Sequence, residues 1–371
     1  MRGKATVAEG KAGSSAGSDP EPYKEPHTEP REGPREEPRG PVTIAYIAET
    51  AGVSVPTVSK VLNGKSGVSV DTRARIEELI NRYGYKKPPG SRKNTVELVF
   101  RELESMWAVE IIRGVERTAA RNGVGVMVSE FGLHDAPSRT VEEMVERRPG
   151  CVLSVAQLSA AEREQLRDKG IPFVVFDPTE ELPDGVPFVG ATNWRGGQSA
   201  TRHLLGLGHR RIAMIAGPPG VSCFLARRSG YSSALAAAGV PEDPGLVVPA
   251  ALTREAGRQA ALELLKATDR PTAIFTANDL QALGVYQAAR DLGLAIPADL
   301  SVVGFDDLPV VSWVEPPLTT VHQPLTQMAM AATELALALG RGEDPGQLGL
   351  EVATSLTVRG STAPPNKRKH G

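Results

Sequence analysis

The sequence predicts an all-α head of three short helices followed by an α/β core of two lobes, each built on a parallel sheet. Three observations carry that reading. Between Val42 and Tyr85, apolar residues recur at the i, i+3, i+4 spacing of buried helical faces. From Val96 onward, short apolar runs alternate with longer amphipathic segments, the pattern of repeated βαβ units. Charge is divided between the two parts: residues 41–93 hold 9 basic and 4 acidic side chains, whereas residues 94–358 hold 22 basic and 32 acidic. The formal net charge of -2 therefore hides a cationic head on an anionic body. Such a head suits a polyanionic partner, because Lys and Arg near phosphates release condensed counterions. At 371 residues the chain exceeds one ordinary core and suffices for two or three lobes.

Residues 1–40 contain no Ile, Leu, Phe or Trp and are dominated by Gly, Pro, Glu, Ser and Arg. A segment so poor in apolar side chains cannot offset the entropy of ordering, so it is expected to be a disordered extension. No stretch resembles the apolar core of a signal peptide, and no window reaches the roughly 18 apolar residues of a membrane helix. Cys151 and Cys223 lie too far apart to form a CxxC pair. A reducing cytoplasm, close to the nucleoid, is the expected setting.

Residues 41–86 form the expected DNA-binding head. Thr43 caps a first helix whose buried face is Ile44, Ile47 and Ala48, and Gly52 ends it. Ser54 caps a second helix, with Val55 and Pro56 in its first turn and Val58, Val61 and Leu62 facing inward. Thr57, Ser59, Lys60 and Asn63 point elsewhere, a polar set of the kind that reaches bases and phosphates from the major groove. A third helix is predicted from about Asp71, burying Ile76, Leu79 and Ile80. Three short helices with a tight turn between the first two constitute a helix-turn-helix.

The stretch VTIAYIAETAGVSVPTVSKVLN closely resembles the head of the lactose and galactose repressor family of bacterial transcription regulators. That resemblance implies double-stranded operator DNA as the partner. Val55, Pro56 and Lys60 become the base readers, while Thr43, Ser54, Thr57, Ser59 and Asn63 hold phosphates. Lys60 stands where the family usually has Arg and lacks the planar fork that grips guanine in two places. The family's leucine-bearing hinge helix has no counterpart in residues 87–95, a linker with Pro88, Pro89 and Gly90 and no Leu.

The core, residues 96–360, is predicted to contain strands VELVF, VGVMVS, GCVLSV and PFVVF in one lobe. RIAMIA, TAIFTA and LSVVGF lie in the other, with a crossing near Ala191 to Asn193. Lobe one is expected to span 96–190 and 324–345, and lobe two 191–323 and 346–360. TNWRGG, HLLGLGHRRIAMIAG, RRSGY, the AND at 277–279, DLSVVGFDDL and PPLTTVHQP extend the family resemblance through the core. The resemblance implies a core shaped like a periplasmic sugar-binding protein.

Open α/β lobes bind ligands at the carboxyl ends of their strands. The resemblance places effector contacts at Trp107, Arg227, Asn278 and Asp306, with Asp177 a further candidate, while Asp279 and Asp307 read as structural caps. Leu252 stands where the family often has an aromatic ring. Trp194 either compensates for it or is an ordinary surface or core tryptophan. The residues 361–371 read as a disordered basic tail.

An enzyme is not expected: the six His form no HExxH, no GxxxxGK[ST] is present, and the core holds no GxSxG. The loop from Gly217 to Gly220 reads as a turn rather than a phosphate cradle. No cofactor and no metal are expected. The resemblance instead implies an allosteric homodimer on a near-palindromic operator, a repressor of carbohydrate-utilisation genes controlled by a sugar or oligosaccharide.

Overall fold

A computed structural model describes residues 42–62, 66–85, 94–101, 103, 106–131 and 141–366. The chain divides into two compact units, Met1–Pro88 and Pro89–Gly371. The expectations for residues 1–40, for Asn63 and for most of the linker lie outside the described residues.

The head consists of α1 (Ile44–Ala51), α2 (Val55–Leu62) and α3 (Val70–Arg82). The Thr43 hydroxyl accepts from the Tyr46 N–H at 3.2 Å, and Gly52 ends α1 in the left-handed region at φ 64°. The third helix starts one residue earlier than predicted, because Ser69 supplies its cap. Ile47, Ala48, Ala51, Val58, Val61, Ile76 and Tyr85 form the buried centre. Leu79 and Ile80, expected to be buried, pack against that centre only half-buried. A three-helix head has too little interior to cover a whole helical face.

The second unit holds two six-stranded sheets. The first lobe runs β1 (Thr95–Phe100), α4 (Met106–Arg121), β2 (Gly125–Glu130), α5 (Val141–Arg147), β3 (Cys151–Ser154), α6 (Ala160–Asp168), β4 (Phe173–Phe176) and β5 (Phe188–Ala191). The second runs α7 (Asn193–Gly206), β6 (Ile212–Ala216), α8 (Ser222–Ala237), β7 (Val247–Pro249), α9 (Arg254–Leu265), β8 (Ala273–Thr276), α10 (Asp279–Asp291), β9 (Ser301–Asp306) and β10 (Thr319–His322). The chain then returns through α11 (Leu325–Arg341) and β11 (Gly349–Val352) before ending with β12 (Ser355–Thr357).

The sheet orders are β11-β5-β4-β3-β1-β2 and β12-β10-β9-β8-β6-β7. Every pairing is parallel except β10 with β12. Strands such as β3, β4, β6 and β8 are buried on both faces, which is why they read as unbroken apolar runs.

Three boundaries differ from the sequence reading. Thr95 already pairs with Gly125, and Asn94 donates its side-chain amide to the Gly123 carbonyl, so the core begins inside the expected linker. Residues 349–352, assigned to lobe two, pair in parallel with Phe188–Ala191 and extend the sheet of lobe one. The second lobe regains the chain only at β12. The tail also begins later than expected. Ser361 is fully buried, its hydroxyl donating to the Val302 carbonyl at 2.6 Å and accepting from the Thr319 N–H at 2.8 Å. Ala363 accepts from the Ser301 hydroxyl at 3.0 Å and contacts His209 Nε2 at 2.9 Å. Small hydroxyl residues and exposed sheet backbone satisfy one another there without an apolar run to announce it.

The motif glycines serve helix packing. A Cβ on Gly197 of α7 would lie 2.1 Å from the Arg227 carbonyl oxygen of α8, and one on Gly230 of α8 would lie 2.1 Å from that of Trp194. Only two bare backbones can approach that closely. Gly217, in the loop after β6, lies under the Phe224 ring, where a Cβ would come within 2.3 Å.

Candidate functional site

Two groups of side chains stand out, one in each unit. On α2, Val58 and Val61 face the small core, so the intervening positions face solvent. Ser54, Val55, Pro56 and Lys60 are exposed, with Val55 at 41%, and Thr57 and Ser59 are half-buried. The hydroxyls of Ser54 and Thr57 share a hydrogen bond of 2.9 Å. Thr43 is exposed while its hydroxyl caps α1. The result is one short helix whose outward surface combines two apolar residues, hydroxyls and a single cation.

In the second unit, strand ends from both lobes converge on a buried polar cluster. Asp177 follows β4 in lobe one; Arg227 projects from α8, Asp306 ends β9 and Gln323 follows β10. Gln323 joins the lobes: its amide nitrogen donates to Asp177 Oδ2 at 3.1 Å, and its oxygen accepts from Arg227 at 3.3 Å. Arg227, 3% exposed, also donates through Nε to Asn193 Oδ1 at 2.8 Å and through a terminal nitrogen to the Ala277 carbonyl. It also lies 3.8 Å from Asp306, with its guanidinium carbon 3.6 Å from the Phe305 ring centroid and 5.0 Å from that of Phe224. A buried guanidinium with this many acceptors is held in one orientation.

Asp177 and Asp306 adopt φ values of 47° and 110°, left-handed backbone that is unfavourable for non-glycine residues. Such backbone persists at a non-glycine residue only where the surrounding contacts fix it. Burial pushes the Asp306 carboxyl up to about 7; the Arg227 charge opposes that rise and the Asp177 charge adds to it. Asp279 is raised well above the usual carboxylate range, chiefly by burial and then by Asp306. It accepts from the Leu308 N–H at 2.8 Å and the Thr320 hydroxyl at 2.6 Å, tying the start of α10 to the neighbouring strands. Asp307 accepts from Arg359 at 2.6 Å and from the Thr357 hydroxyl at 3.2 Å.

Of the five residues proposed for the effector, the structure brings Asp177, Arg227 and Asp306 together. Trp107, on α4, is half-buried and edge-on to Phe176, the residue before Asp177, at 6.0 Å between ring centroids. Asn278 does not reach the cluster. Its oxygen caps α10 by accepting from the Gln281 N–H at 2.9 Å, and its amide donates to the Leu252 carbonyl at 3.0 Å. Gln323 and Asn193 were missed as site residues. Both flank chain crossings between the lobes, and that position was the available signal.

The cluster presents several donors and acceptors suited to polar groups. Burial raises the nearby Cys223 thiol to about 12, far from a reactive thiolate. Among the described residues, no group of three or more His, Cys, Asp or Glu is arranged to hold a metal ion. No helix among them is long and apolar enough to cross a membrane.

Residues 43–87 match the family described as bacterial regulatory proteins, lacI family, and residues 201–362 match the periplasmic binding protein-like domain. The HTH-type transcriptional repressor CytR of Escherichia coli (strain K12) is 32% identical over 334 residues, spanning 86% of this chain and 96% of that protein. DegA of Bacillus subtilis (strain 168), an HTH-type transcriptional regulator, is 30% identical over 335 residues, 87% of this chain and 99% of its own. Among solved structures, a complex of the transcriptional regulator CelR with cellobiose matches at 32% identity and a TM-score of 0.66, over 86% of this chain and 99% of that one. The lac repressor dimer bound to operator and the anti-inducer ONPF matches at 26% identity and a TM-score of 0.63, over 87% and 100%.

Proposed function

The chain belongs to the lacI family of bacterial regulatory proteins, and from that premise we propose that it represses carbohydrate-utilisation genes under the control of a sugar. As a member of that family it is a DNA-binding transcription regulator and not an enzyme. In the proposed reading it acts in the cytoplasm, on the nucleoid, as a homodimer. Two copies of α2 enter successive major grooves about 34 Å apart, so the operator is a near-palindrome. Val55 and Pro56 contact thymine methyls, Lys60 donates to a base edge, and Thr43, Ser54, Thr57, Ser59 and Asn63 hold phosphates.

The single observation that supports effector control is Gln323 bridging Asp177 of one lobe to Arg227 of the other. A polyhydroxylated ligand offers the same alternation of donors and acceptors. It replaces that bridge with contacts to Asp177, Arg227 and Asp306, against the apolar wall of Trp107. A ligand shifts a two-state protein only by its differential affinity for the two states. The sugar therefore releases the operator by preferring the lobe arrangement in which the paired heads fit both half-sites less well.

Thermal unfolding of the full chain with a panel of mono- and oligosaccharides tests the reading. A ligand at 100 times its Kd stabilises the folded state by about 2.7 kcal/mol. The expected result is an upward shift of Tm with at least one sugar; no shift with any of them overturns sugar control.

A further inference from the structure

Beside the polar cluster lies a cavity of about 540 Å³ that includes Trp194, Phe188, Ser222 and Cys223 in its lining. It is continuous with the cluster, because Asp177 and Asn193 belong to both. Its volume falls in the ordinary range of small-molecule sites, roughly 300 to 1,000 Å³. Trp194 sits in the first turn of α7 with 40% of its surface exposed. The indole is also fixed in place, its Nε1 donating to Ser229 Oγ at 3.2 Å on the adjoining α8. A large apolar ring held beside carboxylates suits a ligand with one hydrocarbon face and a rim of hydroxyls.

The charges narrow the class further. Four carboxylates line the cavity, Asp177, Glu180, Glu181 and Glu351, against the single cation Arg195. Glu180 is paired with Arg163 at 2.9 Å. Arg227, the cation of the adjoining cluster, is already engaged by Asn193, the Ala277 carbonyl, Gln323 and Asp306. An anionic ligand would meet more negative charge than positive in a partly dehydrated site, whereas neutral hydroxyls donate to carboxylates without that cost.

We infer that the cavity is a second sugar-ring subsite, with Trp194 as its stacking face, so that the effector is an uncharged oligosaccharide of at least two rings. One ring lies against Asp177, Arg227 and Asp306, and the next packs on Trp194 with its hydroxyls toward Glu181 and Glu351. This inference rests on the sugar-controlled reading of the cluster.

Titration calorimetry on the full chain tests it. The probes are glucose, galactose, mannose and xylose, the disaccharides of those units in their common linkages, and the corresponding 6-phosphates of the hexoses. A disaccharide is expected to bind at least about tenfold more tightly than its own monosaccharide, and the phosphates not to compete. Trp194→Ala is expected to abolish the disaccharide advantage while leaving the monosaccharide Kd within about twofold, and Trp194→Phe to restore most of it. Trp194 is surface-exposed, so Tm verifies that both variants fold. Equal affinity for one and two rings, tightest binding by a phosphate, or an advantage that survives Trp194→Ala would overturn the second subsite while leaving sugar control intact. Binding by no carbohydrate would remove the sugar-controlled reading itself, and the subsite with it.

Discussion

In the head, Val55, Pro56 and Lys60 stand exposed on α2 while Val58 and Val61 beneath them fill the small core. In the interlobe cluster, Asp177, Arg227 and Asp306 are themselves buried, and the bonds that hold them also hold the two lobes. On the proposed reading, recognition and stability therefore reside on different residues of the head and on the same residues of the core. An exposed side chain can change without disturbing the fold, so DNA readout of the kind proposed could be altered through α2 alone. A buried polar residue can change only together with its partners.

Arg227→Ala should separate the two regions most sharply. It leaves Asp306 without its cation and Asn193, Gln323 and the Ala277 carbonyl without a donor. Breaking a buried pair in this way destabilises by about 3 to 5 kcal/mol. Denaturant unfolding should show that loss in the second unit, and calorimetry should show loss of effector binding with it. Gly197→Val should come next, at about 3 kcal/mol, because its side chain would drive α7 from α8; a Tm equal to that of the parent chain would show that the helix pair can yield.

Lys60→Ala probes the other side of the comparison. It should weaken operator binding by about 1 to 3 kcal/mol with Tm unchanged. Equal weakening on random DNA would assign Lys60 to a phosphate rather than a base.

The effect that is smallest per step is a pH dependence, spread over about three pH units. The Asp306 carboxyl lies at about 7 in the folded chain, against about 3.9 in an unfolded one. Between those values the folded state binds the proton and the unfolded state does not, so stability increases as pH falls from about 7 toward about 4. Asp306→Asn removes a slope of at most about 1.4 kcal/mol per pH unit over that window. Asp279, raised in the same direction, keeps part of it. A variant profile as steep as that of the parent would locate the titration elsewhere.

The same contrast explains how much was legible in the sequence. The head could be read almost residue by residue, because Thr43, Gly52 and the Val58, Val61 stripe act through local spacing. Six of the seven strands predicted in the core have their apolar runs inside a parallel sheet; the seventh, β2, lies at a sheet edge and carries the run VGVMV. The segments 188–191, 247–249, 319–322, 349–352 and 355–357 were not recognised as strands. Each is interrupted by Gly, Pro, Ser or Thr within three or four residues, and is a strand because of the neighbours it pairs with. The exchange of 349–352 into lobe one and the docking of Ser361 have the same cause: both are fixed by backbone pairing between residues far apart in the chain. The family resemblance pointed to Arg227 and Asp306, and a strand end to Asp177, but the hydrogen bonds that recruit Gln323 and hold Asn278 on its own helix depend on assembled geometry.

Operator binding by the full chain, with and without sugar, tests the central claim most directly. Duplexes selected from a random pool supply the operator, and fluorescence anisotropy measures Kd across a salt series and the carbohydrate panel. The account predicts a near-palindromic selected site, a steep loss of affinity with salt, and a Kd at fixed salt that rises at least about tenfold with one sugar, a coupling of about 1.4 kcal/mol. Selected and random duplexes bound equally, or a Kd that no sugar changes, would contradict it.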